Sequence, residues 1–154
     1  MNPKNGFEYR IKIVIAGAVA AGKSSILRAL CNERFTSEHI TTIGVDYGTI
    51  TLKTNDNKKE RRQYKFCLWD TSGHKSFMPI TKSYFGHSTA CILVFDLTDM
   101  NSFTESIEWY EYYVSMCPGN TVILVGTKVD KINKSEIKQE NAKLTYGFIG
   151  EDKI

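Results

Sequence analysis

The chain has 154 residues, enough to bury one substantial core and too few for two ordinary domains. Hydrophobic residues at 42% and charged residues at 24% fall near the averages for folded globular domains, which excludes a disordered, collagenous or low-complexity chain. The net charge of +3 is slight; the basic residues are scattered apart from Lys58, Lys59, Arg61 and Arg62, a cluster that reads as a solvated hairpin tip rather than a nucleic-acid surface.

Residues 1–10 are polar and hold no signal peptide, and no apolar run approaches the ~20 residues that span a bilayer. Residues 11–16 form a short β-branched run ending at Gly17, and residues 24–34 follow with helical spacing at Ile26, Leu27 and Leu30. Residues 45–52 and 64–70 read as two strands joined by the turn-forming stretch 54–58, an antiparallel hairpin at a sheet edge. Residues 91–96 are a fully apolar strand, and residues 101–116 a helix capped by Asn101 or Ser102 and stopped at Pro118 and Gly119. Residues 122–126 are a further buried strand. Residues 134–146 are a last amphipathic helix, with Ile137 and Leu144 facing inward and Gly147 as its stop. This alternation predicts an α/β domain with a mostly parallel sheet and helices on both faces. Cys31, Cys67, Cys91 and Cys117 are far apart and show no metal-ligand spacing, so buried free thiols in a reducing cytosol are expected.

Three loops carry chemistry. Residues 17–24, Gly-Ala-Val-Ala-Ala-Gly-Lys-Ser, match G-x-x-x-x-G-K-[ST] between a predicted strand and a predicted helix. Backbone N–H groups of such a loop, with the positive end of the helix, make a concave site for phosphates. The expected nucleotide contacts here are Gly17, Val19, Ala20, Ala21, Gly22, Lys23, Ser24 and Ser25, with Lys23 on the β- and γ-phosphates and the Ser24 hydroxyl on Mg²⁺. The second loop is D-x-x-G: Asp70 ends an apolar strand where it can hold Mg²⁺ through a water, and the Gly73 N–H can meet a γ-phosphate with no Cβ in the way. In the third, residues 126–130, Asp130 can accept from the N1–H and amine of guanine while the Lys128 stem packs along the ring. All three follow strands of a parallel sheet, where ligands of such sheets bind.

In this order and spacing the motifs resemble the small GTPases of the Ras superfamily over nearly the whole chain, with residues 35–47 similar to switch I and residues 69–85 similar to switch II of the Rab branch. The resemblance implies a P-loop NTPase three-layer sandwich with one antiparallel edge strand, and a GTP/GDP switch in vesicle trafficking or related signalling. It makes Thr42 a second Mg²⁺ ligand and γ-phosphate sensor, sets Phe35 beside the guanine, and places Lys23, Thr42, Gly73 and His74 at the positions that act in hydrolysis. Tyr47, Trp69 and Tyr84 match the aromatic triad read by effectors; exchange factors and GTPase-activating proteins would meet the switch segments.

Departures matter as much. His74 stands where the family usually has the water-orienting glutamine, and Val19 puts a branched side chain where it prefers Gly, Ser or Ala; both point to slow hydrolysis. Thr127 replaces the usual Asn, so weaker bracing is expected. Residues 1–154 read as one G domain that lacks the family's usual last strand and helix, leaving an open sheet edge for a dimer partner or a second domain to cover, and leaving any lipid anchor to a longer C-terminus. Two rivals stay open: a pseudo-GTPase scaffold that binds guanine nucleotide without turnover, and an ATPase or nucleotide kinase, whose arginine-bearing lid is not visible.

Overall fold

The computed structural model describes residues 8–34, 41–55 and 61–132. The expected helix over residues 134–146, the hairpin tip and Phe35 lie outside the described residues. Strands β1 (Glu8–Gly17), β2 (Val45–Asn55), β3 (Arg61–Thr71), β4 (Ala90–Asp96) and β5 (Thr121–Thr127) form one sheet in the order β2-β3-β1-β4-β5. β1 runs parallel to β3 and to β4, β4 runs parallel to β5, and β2 alone is antiparallel, paired with β3. This is the predicted architecture, a mostly parallel sheet with one antiparallel edge.

Helix α1 (Lys23–Leu30) lies on one face, while α2 (Met78–Phe85) and α3 (Met100–Met116) cover the other. The alternation of β1 explains the two cores. Ile13 and Ile15 point to the α1 side, where Leu27, Leu68 and Val94 gather; Val14 and Ala16 point to the opposite side, against Phe85, Leu93, Trp109 and Tyr113. Phe85 and Tyr113 are fully buried and meet edge-on at 5.4 Å, and truncating either ring would cost about 3–5 kcal/mol. The Tyr113 hydroxyl lies 2.9 Å from the Ser88 hydroxyl, so its polar end is satisfied. No helix among the described residues is long and apolar enough to cross a membrane.

Differences from expectation have local causes. α1 ends at Leu30 rather than residue 34, because Asn32 adopts a left-handed conformation with φ 59° that terminates the helical run. α3 begins one residue early, capped by Asp99, whose carboxylate accepts from the Asn101 N–H at 3.0 Å; Ser102 instead turns inward and bonds the Asp96 backbone. α2 escaped the periodicity reading since it is only eight residues long. Its usable signals were Pro79 in the first turn and the buried pair Thr81 and Phe85 four residues apart. The four cysteines are free as expected, but only Cys91 and Cys117 are buried; Cys31 and Cys67 are half-exposed.

Candidate nucleotide-binding site

The parallel strands bring Gly17, Asp70, Asp96 and Thr127 to one rim of the sheet, and the loops after them converge there. The first loop wraps its own lysine. Lys23 Nζ donates to the carbonyls of Gly17 at 3.0 Å and Ala18 at 2.5 Å, and the residue is only 6% exposed. Burial pulls the Lys23 ammonium down to about 8, with Asp70 and then Glu105 acting in the opposite direction. Among the described residues the acceptors of this ammonium are neutral carbonyls, and phosphate oxygens are stronger ones. Ala18 and Ala21 are buried against the core, Gly22 caps α1 with φ 92°, and Ser25 is half-buried in the first helical turn. Val19 is 44% exposed and Ala20 is exposed too, so both line the outer lip of the loop. Ala20 holds φ 59°, a left-handed conformation that costs a non-glycine residue roughly 1–2 kcal/mol.

The second loop is pressed onto the first. A Cβ on Gly73 would stand 2.6 Å from the Gly17 carbonyl oxygen and equally close to Lys23 Nζ, so no side chain fits there. Before it, Ser24 Oγ donates to Asp70 Oδ2 at 2.5 Å and lies 2.9 Å from Thr42 Oγ1, which is itself 3.5 Å from the same carboxylate oxygen. The residues predicted to hold a metal are therefore one cluster. Asp70 is fully buried, and its Oδ1 has no hydrogen-bond partner among the described residues. Burial raises the Asp70 pKa, against the pull of Ser24 and Lys23. Two hydroxyls and a buried carboxylate with an unpartnered oxygen are hard donors without a thiolate or imidazole among them, which fits Mg²⁺. The two segments flanking this cluster are joined directly, since the Ser72 N–H donates to the Gly44 carbonyl at 3.0 Å.

His74 is exposed, and its Nδ1 accepts from the Ser76 N–H at 3.3 Å and lies 2.6 Å from the Ser76 hydroxyl. The imidazole thus caps the 3₁₀ turn Lys75–Phe77, with one ring nitrogen committed to that turn.

In the third loop Thr127 Oγ1 lies 2.6 Å from the Ala21 carbonyl and 3.0 Å from that of Phe95, tying β5 to both the phosphate loop and β4. The hydroxyl therefore does brace the loop, but with one proton to share between two acceptors. Lys128 adopts a left-handed conformation, φ 58°, and its ammonium meets Asp96 Oδ2 at 2.5 Å. Burial pushes the Asp96 carboxyl up, yet Lys128 and two hydrogen bonds from Thr98 outweigh it and hold the group below its ordinary value. Asp130 lies exposed in the turn Val129–Lys131. Asp96 was not singled out from sequence; an acidic residue ending a buried strand, as Asp70 does, was the available signal.

The three predicted aromatics are contiguous. Trp69 lies 4.8 Å from Tyr47 and 5.1 Å from Tyr84, ring centre to ring centre, and Lys12 Nζ sits 5.6 Å from the Trp69 ring while donating to the Gly86 carbonyl at 2.7 Å.

Residues 12–147 match the family model described as the Ras family. The chain is 35% identical over 144 residues to the Ras-related protein Rab-1D of Dictyostelium discoideum, covering 93% of this chain and 67% of that protein. It is 34% identical over 135 residues to the Ras-related protein Rab-18-B of Danio rerio, covering 86% and 63%, and 29% identical over 140 residues to the GTP-binding protein ypt4 of Schizosaccharomyces pombe, covering 90% and 59%. The chain thus spans about three-fifths to two-thirds of the length of these relatives. With the family model matched across most of its length and relatives of this kind, the chain belongs to the Ras family as a Rab-like small GTPase.

Proposed function

We propose that this domain is a guanine-nucleotide switch, binding GTP or GDP with Mg²⁺ and hydrolysing GTP slowly, in vesicle trafficking or a related signalling process. The observation that carries this reading is the meeting of Lys23, the Ser24–Thr42–Asp70 oxygens and the Thr127–Asp130 turn on one rim of the sheet. Lys23 neutralises phosphate oxygens, the Gly73 backbone approaches the phosphate end, and the Asp130 carboxylate selects guanine over adenine through its two ring-edge donors. Mg²⁺ held by Ser24, Thr42 and Asp70 would supply charge neutralisation at the phosphates. Because Thr42 contacts both Ser24 and Asp70, a γ-phosphate drawn into this cluster would order the segments before β2 and after β3 together, and its loss would release them.

Hydrolysis needs a group that orients water. His74 gives its Nδ1 to the Ser76 turn, which favours a second reading, a scaffold that holds nucleotide without turnover. Single-turnover hydrolysis separates the two: slow turnover, accelerated by His74→Gln, supports the switch, and no turnover in either form supports the scaffold. Mass spectrometry of the nucleotide carried by the purified protein tests the common premise, for which GDP or GTP is expected and ATP or ADP would refute it.

A further inference from the structure

We propose that the partner docking on Tyr47, Trp69 and Tyr84 is an acidic protein segment, whose carboxylates run along the adjoining sheet face to Arg10, Lys12, Lys53 and Lys65. The inference rests on the switch reading above and names the chemistry of the partner.

Strand register builds the surface. Val14, Trp69 and Tyr47 stand side by side across β1, β3 and β2; the next positions on the same face are Lys12, Cys67 and Thr49, then Arg10, Lys65 and Thr51, then Glu8, Gln63 and Lys53. Neighbouring strands lie ~4.8 Å apart and same-face residues on one strand about 6.8 Å apart, so the cations begin one step from the rings and continue for about two more. α3 packs over β1 and β4, and α2 reaches the ring end of the face through Tyr84, which lies against Trp69. Four cations share the strip with a single carboxylate, Glu8, which Arg10 already holds at 3.2 Å. Among the described residues no carboxylate lies within ion-pair distance of Lys53 or Lys65. Asp46, the nearest acid in β2, pairs with Asp70 and belongs to the other face.

The strip is polarised. Rings stand at the end near the phosphate rim and cations at the other, which gives a docking segment a direction. A membrane would be met best by apolar groups standing proud of the charges. Here Trp69 is half-buried with the Lys12 ammonium close to its ring, an arrangement that suits a side chain entering between them. The positive row also steers an acidic segment towards the rings.

Phage selection of random peptides on the protein loaded with a non-hydrolysable GTP analogue tests this. Selected peptides are expected to carry an aromatic or aliphatic anchor next to a run of Asp or Glu. They should bind the Lys53→Glu/Lys65→Glu double variant about tenfold more weakly at low salt, while its affinity for GDP is unchanged. Peptides in which that run is replaced by Lys should recover binding to the double variant. Binders that depend on Trp69 but show no acidic enrichment, or that ignore the two charge reversals, would overturn the proposal and leave the switch reading standing. An absence of Trp69-dependent binders would overturn the proposal alone, whereas failure of the protein to bind GDP or the GTP analogue would overturn the switch reading as well. Co-sedimentation with phosphatidylserine vesicles that the double variant loses, without acidic peptides being selected, would assign the face to a membrane and overturn the proposal.

Discussion

Replacing Asp96 by Asn tests whether the loop after β5 is held from β4. The wild-type carboxylate meets Lys128 at 2.5 Å with side chains 11% and 29% exposed, and its other oxygen accepts from the Thr98 N–H at 2.9 Å and hydroxyl at 2.7 Å. Asn preserves the volume and can still accept from Thr98, but it turns an amide donor towards an ammonium. The loss of one charge-assisted hydrogen bond of this exposure is about 1.5–3 kcal/mol. Lys128 also holds a left-handed conformation that costs roughly 1–2 kcal/mol, so without its anchor the turn has a reason to relax. If nucleotide binding must restore the turn, about 1.4 kcal/mol of that cost reappears as a tenfold rise in the GDP dissociation rate, readable with a fluorescent GDP analogue by stopped flow. The pH dependence has a fixed sign. Because the folded carboxyl titrates below its ordinary value of ~3.9, its contribution is complete above that value and is lost as pH falls through the folded one; the Asn variant should lack this acid limb in thermal melts. A dissociation rate within about twofold of wild type, in a variant that stays folded, would refute the role given to the pair.

Ala20→Gly relieves a left-handed alanine and should stabilise the domain by about 1 kcal/mol net of the added freedom of the unfolded chain, raising Tm by about 2–4 °C; an unchanged or lower Tm would contradict the strain. Gly73→Ala drives a methyl group into the Gly17 carbonyl and Lys23, a displacement of roughly 1–3 kcal/mol, and should weaken a GTP analogue about tenfold or more while sparing GDP in displacement titrations. Thiol labelling should find Cys31 and Cys67 reactive in the native protein and Cys91 and Cys117 only after denaturation, since burial removes access and pushes the Cys91 thiol up.

Much of the fold was legible because its strands are short, β-branched and separated by glycine-bearing loops, and because three motifs sit directly after them. The β1 and β4 expectations differ from the observed strands by a few end residues, where pairing rather than composition sets the limit; β5, expected to be buried, instead has Ile123 50% exposed, because it is the last strand of the sheet among the described residues. α2 was not legible as a helix, since two turns cannot establish a period. At the site, Lys23, Ser24, Thr42 and Asp70 were named from sequence and the structure brings them together. The capping role of His74 depends on the orientation of its own turn, and the Asp96–Lys128 pair joins residues 32 apart whose meeting only strand register determines. Lys12 likewise reads as an ordinary strand lysine until β3 places Trp69 beside it.

The bond from the Ser72 amide to the Gly44 carbonyl makes the stretches on either side of the sheet edge a single mechanical unit. Thr42 lies two residues before one end of it and Asp70 two residues before the other. A tug on either oxygen is therefore transmitted across one hydrogen bond, and the pair would let go in concert, giving the domain an abrupt rather than graded response.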